Sequence, residues 1–275
     1  MVGILGAGLM GKSIAVEIAK HGIDVKLLSA QRHLSASQLK EEIEKIVSRM
    51  KVVNPEEVFS HIQIASDYKE FEGCDLIIEA LKEDLVVKRT TLKELISSIS
   101  SNCVFSSNTS SLSINDIFKD IIPLENVLGT HFFNPPHVMK LVELSTLDQT
   151  SSNTINFALN FIKGIDKEAI FVKNSPGFVV NKLLIPFINE AAVLLEEKIA
   201  SAEDIDKAML LGANHPIGPL KLADLIGIDV VVAILKTFQK NNPQLKISPL
   251  LEKMVLENKL GRKTKIGFYD YVEKR

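Results

Sequence analysis

The glycine pattern Gly-Ala-Gly-Leu-Met-Gly at residues 6–11 is the feature that most constrains how this chain folds. The apolar run from Val2 to Leu5 precedes it, and apolar residues at helical spacing follow it. A second apolar stretch begins at Val25. Strand, glycine turn, helix and second strand form the context in which glycines spaced in this way bind a dinucleotide. The pattern therefore predicts a nucleotide-binding turn.

Each glycine of this turn has its own steric task in the predicted fold. Gly6 permits the tight turn, Gly8 lets a pyrophosphate approach the backbone, and Gly11 lets the helix pack closely on the strand. Leu9 and Met10 lie between the second and third glycines, and the N-terminal N–H groups and dipole of the helix that follows favour a bound phosphate. We therefore predict that all five residues belong to the cofactor site.

The end of the second strand leaves the identity of the dinucleotide open. NAD-binding versions usually carry a carboxylate about 20 residues after the turn, where it bonds the ribose hydroxyls. Ser29 holds that place, and Arg32 follows it. Serine does not repel a 2′-phosphate and arginine can bind one, which favours NADP. Alternatively, Arg32 is a solvated loop cation and Ser29 is a weaker ribose partner, so NAD and NADP both remain predictions.

Composition excludes several classes of function. The net charge of −2 provides no basic surface of the kind that nucleic acids require. No apolar run approaches the ~18 residues of a membrane span, and no cation precedes the first apolar run as in a secretory leader. Two cysteines are too few for a zinc site or a disulfide framework. We expect a cytoplasmic protein without nucleic-acid, membrane or metal partners.

The order of the segments predicts the fold class. The 275 residues are enough for about two domains. Strand and helix patterns alternate through the first part, which is typical of a Rossmann-type, doubly wound α/β sheet. After Asn174-Ser175-Pro176-Gly177 the patterns are almost entirely helical. We predict a dinucleotide-binding domain at 1–174 and a smaller all-α domain at 175–275, whose dense apolar residues favour a homodimer or, alternatively, burial within one chain.

Polar side chains follow two predicted strands of this sheet. Glu83 lies just beyond one strand, and Asn108 and Ser110 lie beyond the next. Ligands of doubly wound sheets bind at the carboxyl ends of the strands. These three residues are therefore candidates to line the nicotinamide pocket.

The stretch from Gly129 to Leu144 predicts a catalytic pair. Asn134-Pro135-Pro136 interrupts two apolar runs and predicts a bend. If the runs pair as a hairpin centred on His137, then His131 and Glu143 face each other. A carboxylate bonded to one imidazole nitrogen fixes the tautomer and leaves the other nitrogen to act as a base. His131 is thus the candidate general base.

Several motifs together resemble one known family over nearly the whole chain. This family is the 3-hydroxyacyl-CoA dehydrogenases, in which a Rossmann-type domain binds NAD and a helical domain closes the acyl-CoA cleft and builds the dimer. The resemblance is carried by GAGLMG, DLIIEALKEDLVVK, SSNTSSLSI, GTHFFNPPHVMKLVEL, NSPGFVVNKLLIPFINEA and GANHPIGPLKLADLIGID.

The resemblance also implies roles for single residues. The family's catalytic and substrate-binding positions fall on His131, Glu143, Ser110 and Asn181. Its cofactor contacts fall on Glu83, Lys88 and Asn108. This sequence departs from the family at Ser29, where an acidic residue is usual, and at Lys265, where glycine is usual.

The function that the resemblance implies is the interconversion of a (3S)-3-hydroxyacyl-CoA and a 3-ketoacyl-CoA with NAD or NADP. A short-chain substrate such as 3-hydroxybutyryl-CoA is expected. Two alternatives remain open. One is a related dehydrogenase of another 3-hydroxy acid, such as a sugar acid, and the other is a non-enzymatic dinucleotide-binding protein.

Overall fold

The computed structural model describes residues 1–29, 36–50, 54–99 and 103–272. Arg32, a predicted cofactor contact, lies outside the described residues. The chain divides into two compact units, Met1–Phe178 and Val179–Arg275.

The first unit is built on a single sheet, to which the described residues contribute eight strands. The strands are β1 (Val2–Leu5), β2 (Val25–Leu28), β3 (Ile62–Ala65), β4 (Leu76–Glu79), β5 (Val104–Ser107), β6 (Val127–Phe132), β7 (Leu141–Thr146) and β8 (Glu168–Lys173). Their order is β3-β2-β1-β4-β5-β6-β7-β8, and only the β6–β7 pair is antiparallel among these strands. This order confirms the predicted Rossmann-type sheet.

Helices cover both faces of the sheet. They are α1 (Leu9–Ala19), α2 (Ala36–Arg49), α3 (Pro55–Ser60), α4 (Leu85–Ile96), α5 (Ile114–Phe118) and α6 (Ser152–Gly164). Successive strand residues point to opposite faces. Ile4 therefore packs in one hydrophobic cluster and Leu5 in the other. Burial on both faces explains why the central strands are continuously apolar in sequence.

In the described part of the second unit, the regular elements are helices, and the other pairing consists of isolated bridges near the C-terminus. Its helices are α7 (Val180–Glu196), α8 (Ala202–Gly212), α9 (Pro219–Ile226), α10 (Ile228–Asn241) and α11 (Pro249–Leu256). Ser201 caps α8 by accepting the N–H of Asp204 at 3.1 Å. Among the described residues, no helix has the length and apolar character needed to cross a membrane.

Two buried aspartates fasten the C-terminal segment to α8 and α9. Asp224 accepts the N–H groups of Phe268 and Tyr269 at 2.9 and 3.0 Å and the Tyr271 hydroxyl at 3.0 Å. Asp206 accepts the Tyr269 hydroxyl at 2.7 Å. Burial raises the pKa of Asp224 above its usual value, although these donors oppose the shift. The segment is thus part of the folded helical unit.

Lys265 has a left-handed backbone, with φ of 60°. This conformation costs a residue with a Cβ about 1–2 kcal/mol, and glycine adopts it without that steric cost. We expect Lys265→Gly to raise the free energy of unfolding by about 1 kcal/mol in urea titrations. Lys207→Gly, inside α8, is the matched control and should lower it by about 1 kcal/mol. A loss of stability in Lys265→Gly would contradict the assignment of strain.

Candidate active site

In the glycine turn after β1, a side chain would clash with the backbone at Gly6 and Gly11 but would meet open space at Gly8. Gly6 has φ of +117°, and a Cβ there would lie 2.6 Å from the Ala80 carbonyl oxygen. A Cβ on Gly11 would lie 1.8 Å from the Gly6 carbonyl oxygen. A Cβ on Gly8 meets nothing within 4 Å, and Gly8 caps α1 without a side-chain hydrogen bond. The helix start is thus an open backbone cradle that fits a diphosphate.

The other predicted cofactor residues here are Leu9 and Met10, at the start of α1, and Ser29, directly after β2. The Gly6 N–H donates to the Leu28 carbonyl at 2.9 Å, which holds the turn against the end of β2. Ser29 follows directly and is half-buried, as is Met10, whereas Leu9 is exposed. Their contacts with a dinucleotide stay predictions.

The two glycines that flank the helix start allow a matched pair of variants. We expect Gly8→Ala to fold like the parent but to bind NADH at least about tenfold more weakly, because the methyl group occupies the cradle. Gly11→Ala should instead lower the free energy of unfolding by about 3 kcal/mol, since its methyl group meets backbone. Fluorescence titration and urea unfolding measure the two effects. Unchanged NADH affinity in Gly8→Ala would contradict the cradle.

A buried ion cluster lies after β4. The Lys88 ammonium is 2.7 Å from Glu79 Oε1 and 3.3 Å from Glu83 Oε2. Lys88 and Glu79 are almost fully buried, and the Ser107 hydroxyl donates to Glu79 Oε2 at 2.5 Å. Lys88 is thus committed to two carboxylates, and its predicted role as a cofactor contact remains a prediction. Sequence reasoning assigned no role to Glu79, although a carboxylate ending an apolar strand was a signal.

Glu83 organises the loop that follows β5. Its Oε1 accepts the Thr109 hydroxyl at 2.6 Å, the Ser110 N–H at 3.0 Å and the Ser111 N–H at 2.9 Å. Burial alone would raise the pKa of Glu83, but the Lys88 charge and these hydroxyl donors hold it below its usual value. The carboxylate therefore stays ionised and shapes the loop that carries Ser110.

His131 and Glu143 form the predicted pair. They are directly opposite in the β6–β7 ladder, and His131 Nδ1 is 2.8 Å from Glu143 Oε2. Glu143 is 0% and His131 6% exposed. The imidazole also touches the rings of Phe133 and Phe178, with centroid distances of 4.7 and 5.4 Å. Because the carboxylate engages Nδ1, Nε2 is the nitrogen available for proton transfer to a ligand.

The strand order places the predicted site residues of the first unit at the carboxyl ends of neighbouring strands, on one side of the sheet. The turn follows β1, Glu83 follows β4, and the loop with Asn108 and Ser110 follows β5. These strands are parallel and adjacent, and His131 lies near the end of β6. The Asn108 side chain accepts the Phe132 N–H at 2.8 Å, which ties this loop to β6 beside His131.

Asn181, the remaining predicted catalytic residue, lies at the start of α7 in the second unit. Its role is carried by its motif alone and stays a prediction.

Comparisons with known proteins show the family of this chain. Residues 1–175 match the family described as 3-hydroxyacyl-CoA dehydrogenase, NAD binding domain, and residues 177–271 match its C-terminal domain. A 3-hydroxybutyryl-CoA dehydrogenase of Clostridioides difficile is 42% identical, with 98% of each chain covered. The human mitochondrial hydroxyacyl-coenzyme A dehydrogenase is 38% identical, with 98% of this chain and 90% of that protein covered. The crystal structure of (S)-3-hydroxybutyryl-CoA dehydrogenase from Ralstonia eutropha has a TM-score of 0.87 at 37% identity, with 99% of each chain covered.

Proposed function

This chain belongs to the 3-hydroxyacyl-CoA dehydrogenase family, and we propose that it interconverts short-chain (3S)-3-hydroxyacyl-CoA and 3-ketoacyl-CoA, with 3-hydroxybutyryl-CoA as substrate. It is an oxidoreductase that uses a nicotinamide dinucleotide. The observation that carries the proposal is the buried His131–Glu143 pair at the same sheet edge as the open glycine turn. The 3-hydroxybutyryl-CoA dehydrogenases among its relatives support the short chain length.

His131 performs the proton transfer in this mechanism. The glycine turn at residues 6–11 would hold the dinucleotide, which would supply hydride transfer to or from C3 of the acyl group. His131 Nε2 takes the hydroxyl proton during oxidation and returns it during reduction. Glu143 holds the ring through Nδ1 at 2.8 Å and stabilises the imidazolium. A carboxylate that is 0% exposed faces little competing water, so its effect on the imidazolium is strong.

Ser110 and Asn181 are proposed to donate hydrogen bonds to the oxygen on C3, where charge changes during the reaction. The Glu83 contacts to residues 109–111 support this role for Ser110, because they fix the loop before substrate arrives. The proposed cofactor-side residues are Gly6, Gly8, Leu9, Met10, Gly11, Ser29, Arg32, Glu83, Lys88 and Asn108.

The two alternatives make different predictions in one assay. A dehydrogenase of free hydroxy acids would act on 3-hydroxybutyrate or a sugar acid without coenzyme A. A non-enzymatic dinucleotide-binding protein would oxidise nothing. The test is NADH and NADPH oxidation, followed at 340 nm, with acetoacetyl-CoA and longer 3-ketoacyl-CoAs. We expect turnover with acetoacetyl-CoA, and its absence with every 3-ketoacyl-CoA would overturn the proposal. The ratio of the two cofactors resolves the question that Ser29 leaves open.

The quaternary structure and location are also proposals. We propose a homodimer, formed through the helical unit at 175–275, and a cytoplasmic location. The exposed apolar side chains of the second unit support a dimer, since Leu183, Leu211 and Leu256 are 71%, 77% and 87% exposed. Light scattering on the purified chain should give twice the monomer mass of 30.4 kDa.

A further inference from the structure

A second buried ion cluster lies outside the groups discussed so far. The Lys167 ammonium is 2.9 Å from Glu17 Oε1, and these side chains are only 2% and 3% exposed. Lys20 contacts the other oxygen of Glu17 at 2.9 Å. Burying charges costs desolvation energy, so a buried ion pair adds little net stability. In some proteins such a pair instead specifies one packing arrangement of the secondary-structure elements that it joins. The geometry around Lys167 indicates which parts are arranged here.

Lys167 joins two elements that bear on the reaction. Its ammonium donates to the Pro136 carbonyl at 2.7 Å and to the Met139 carbonyl at 3.2 Å. Both carbonyls lie in the bend at 133–140, which connects the strand of His131 to the strand of Glu143. Its third acceptor, Glu17, lies on α1, the helix that starts at the glycine turn. The buried Lys167 ammonium therefore links the bend to α1.

The bend in turn contacts the imidazole. The β6–β7 ladder ends at the pair Phe132 and Val142, so Phe133 lies beyond the last paired residue of its strand. The Phe133 ring packs edge-on against the His131 ring, with centroids 4.7 Å apart. Strand pairing thus fixes the backbone of His131. The bend sets the position of the Phe133 ring, which packs beside the imidazole. A shift of the bend would move the Phe133 ring and release the imidazole on that side.

We propose that Lys167 is a positioning residue. It holds the bend at 133–140 against α1 and thereby fixes the orientation of the His131 imidazole relative to the glycine turn. The contact network stands by itself, whereas its effect on turnover rests on the proposed function. Displacing a reacting group by about 1 Å can reduce the rate by up to about 10²-fold.

The test compares Lys167→Met with Lys140→Met in the full chain. Lys140 is the matched control, because it lies in the same bend and pairs with Asp166, yet its side chain is 64% exposed. Both variants are assayed well below their unfolding temperatures. We expect Lys167→Met to lower kcat for acetoacetyl-CoA by about tenfold or more with unchanged Kd for NADH and KM for acetoacetyl-CoA. Lys140→Met should match the parent.

Glu17→Gln provides a second variant if Lys167→Met does not fold. It keeps the shape of the side chain, removes the charge on α1 and leaves the contacts of Lys167 with the bend intact. We expect a smaller fall in kcat, about threefold, again with unchanged NADH affinity. Parent kcat in folded Lys167→Met would overturn the proposal, and so would parent kcat in Glu17→Gln if Lys167→Met does not fold.

Hydrogen–deuterium exchange gives a readout independent of turnover. Amides of residues 133–140 should exchange faster in Lys167→Met than in the parent, and not in Lys140→Met. If the parent itself reduces no 3-ketoacyl-CoA, the proposed function fails, and the exchange data alone decide whether Lys167 holds the bend. Parent-like exchange at 133–140 in Lys167→Met overturns the proposal, as does faster exchange with unchanged kcat in an active enzyme.

Discussion

His131→Gln is expected to lower kcat for the reduction of acetoacetyl-CoA by about 10²–10⁴-fold, the range typical of a lost general acid–base group. Glutamine has a similar reach but takes up no proton at neutral pH. The Kd for NADH should stay the same, because the glycine turn lies after β1 and His131 on β6. Stopped-flow turnover and NADH fluorescence titration measure the two quantities on the same preparation.

The control for this variant is His61→Gln. His61 also pairs with a carboxylate, with its Nδ1 2.8 Å from Asp24 Oδ1, but it precedes β3. His61→Gln should leave kcat unchanged. A fall in kcat that occurs only in His131→Gln is then specific to the active site. Near-parent turnover in His131→Gln would remove this residue from the mechanism.

Glu143→Gln is expected to lower kcat by about 10²–10³-fold, again with unchanged NADH affinity. An amide oxygen can still accept from Nδ1, so the ring is held, but the negative charge that stabilises the imidazolium is lost. Because Glu143 is 0% exposed, solvent cannot replace that charge. The same turnover assay measures the effect.

Glu168→Gln is the matched control for this charge removal. Glu168 begins the neighbouring strand β8 and is exposed, so kcat should not change. If Glu143→Gln retained parent kcat, the carboxylate would have only a structural role, and the pair would not act as a unit.

The His131–Glu143 pair could be predicted because antiparallel pairing makes the sum of paired residue numbers constant. Once Asn134-Pro135-Pro136 set the bend around His137, the partner of His131 followed by arithmetic. The glycine turn could also be predicted, because β1, the three glycines and α1 follow one another within the first 19 residues. The approach of Ala80 to Gly6 could not, because it joins distant parts of the chain.

The buried ion pairs could not be predicted in this way. Lys88 meets Glu79 across a strand–loop–helix connection that has no fixed period. Lys167 meets Glu17 from far along the chain, and nothing in either local sequence marks the other. Both lysines occur in segments where a solvated cation is the ordinary expectation.

The end of the first unit depended on tertiary contacts as well. The Asn-Ser-Pro-Gly sequence at 174–177 marks a break, but the first unit extends to Phe178. The Gly177 N–H donates to the Ser110 carbonyl at 3.1 Å, and the Phe178 ring packs on His131. These contacts hold the linker to the sheet, and linker composition alone does not reveal them.

Transfer of deuterium from [4,4-²H₂]NADH, or its NADPH equivalent, to acetoacetyl-CoA tests whether this enzyme moves a hydride to C3 of the acyl group. We predict a 3-hydroxybutyryl-CoA product that carries one deuterium at C3, detected by mass spectrometry, and formed by His131→Gln at a rate about 10²–10⁴-fold below that of the parent. A parent enzyme that binds the dinucleotide but yields no labelled hydroxyacyl-CoA would contradict it.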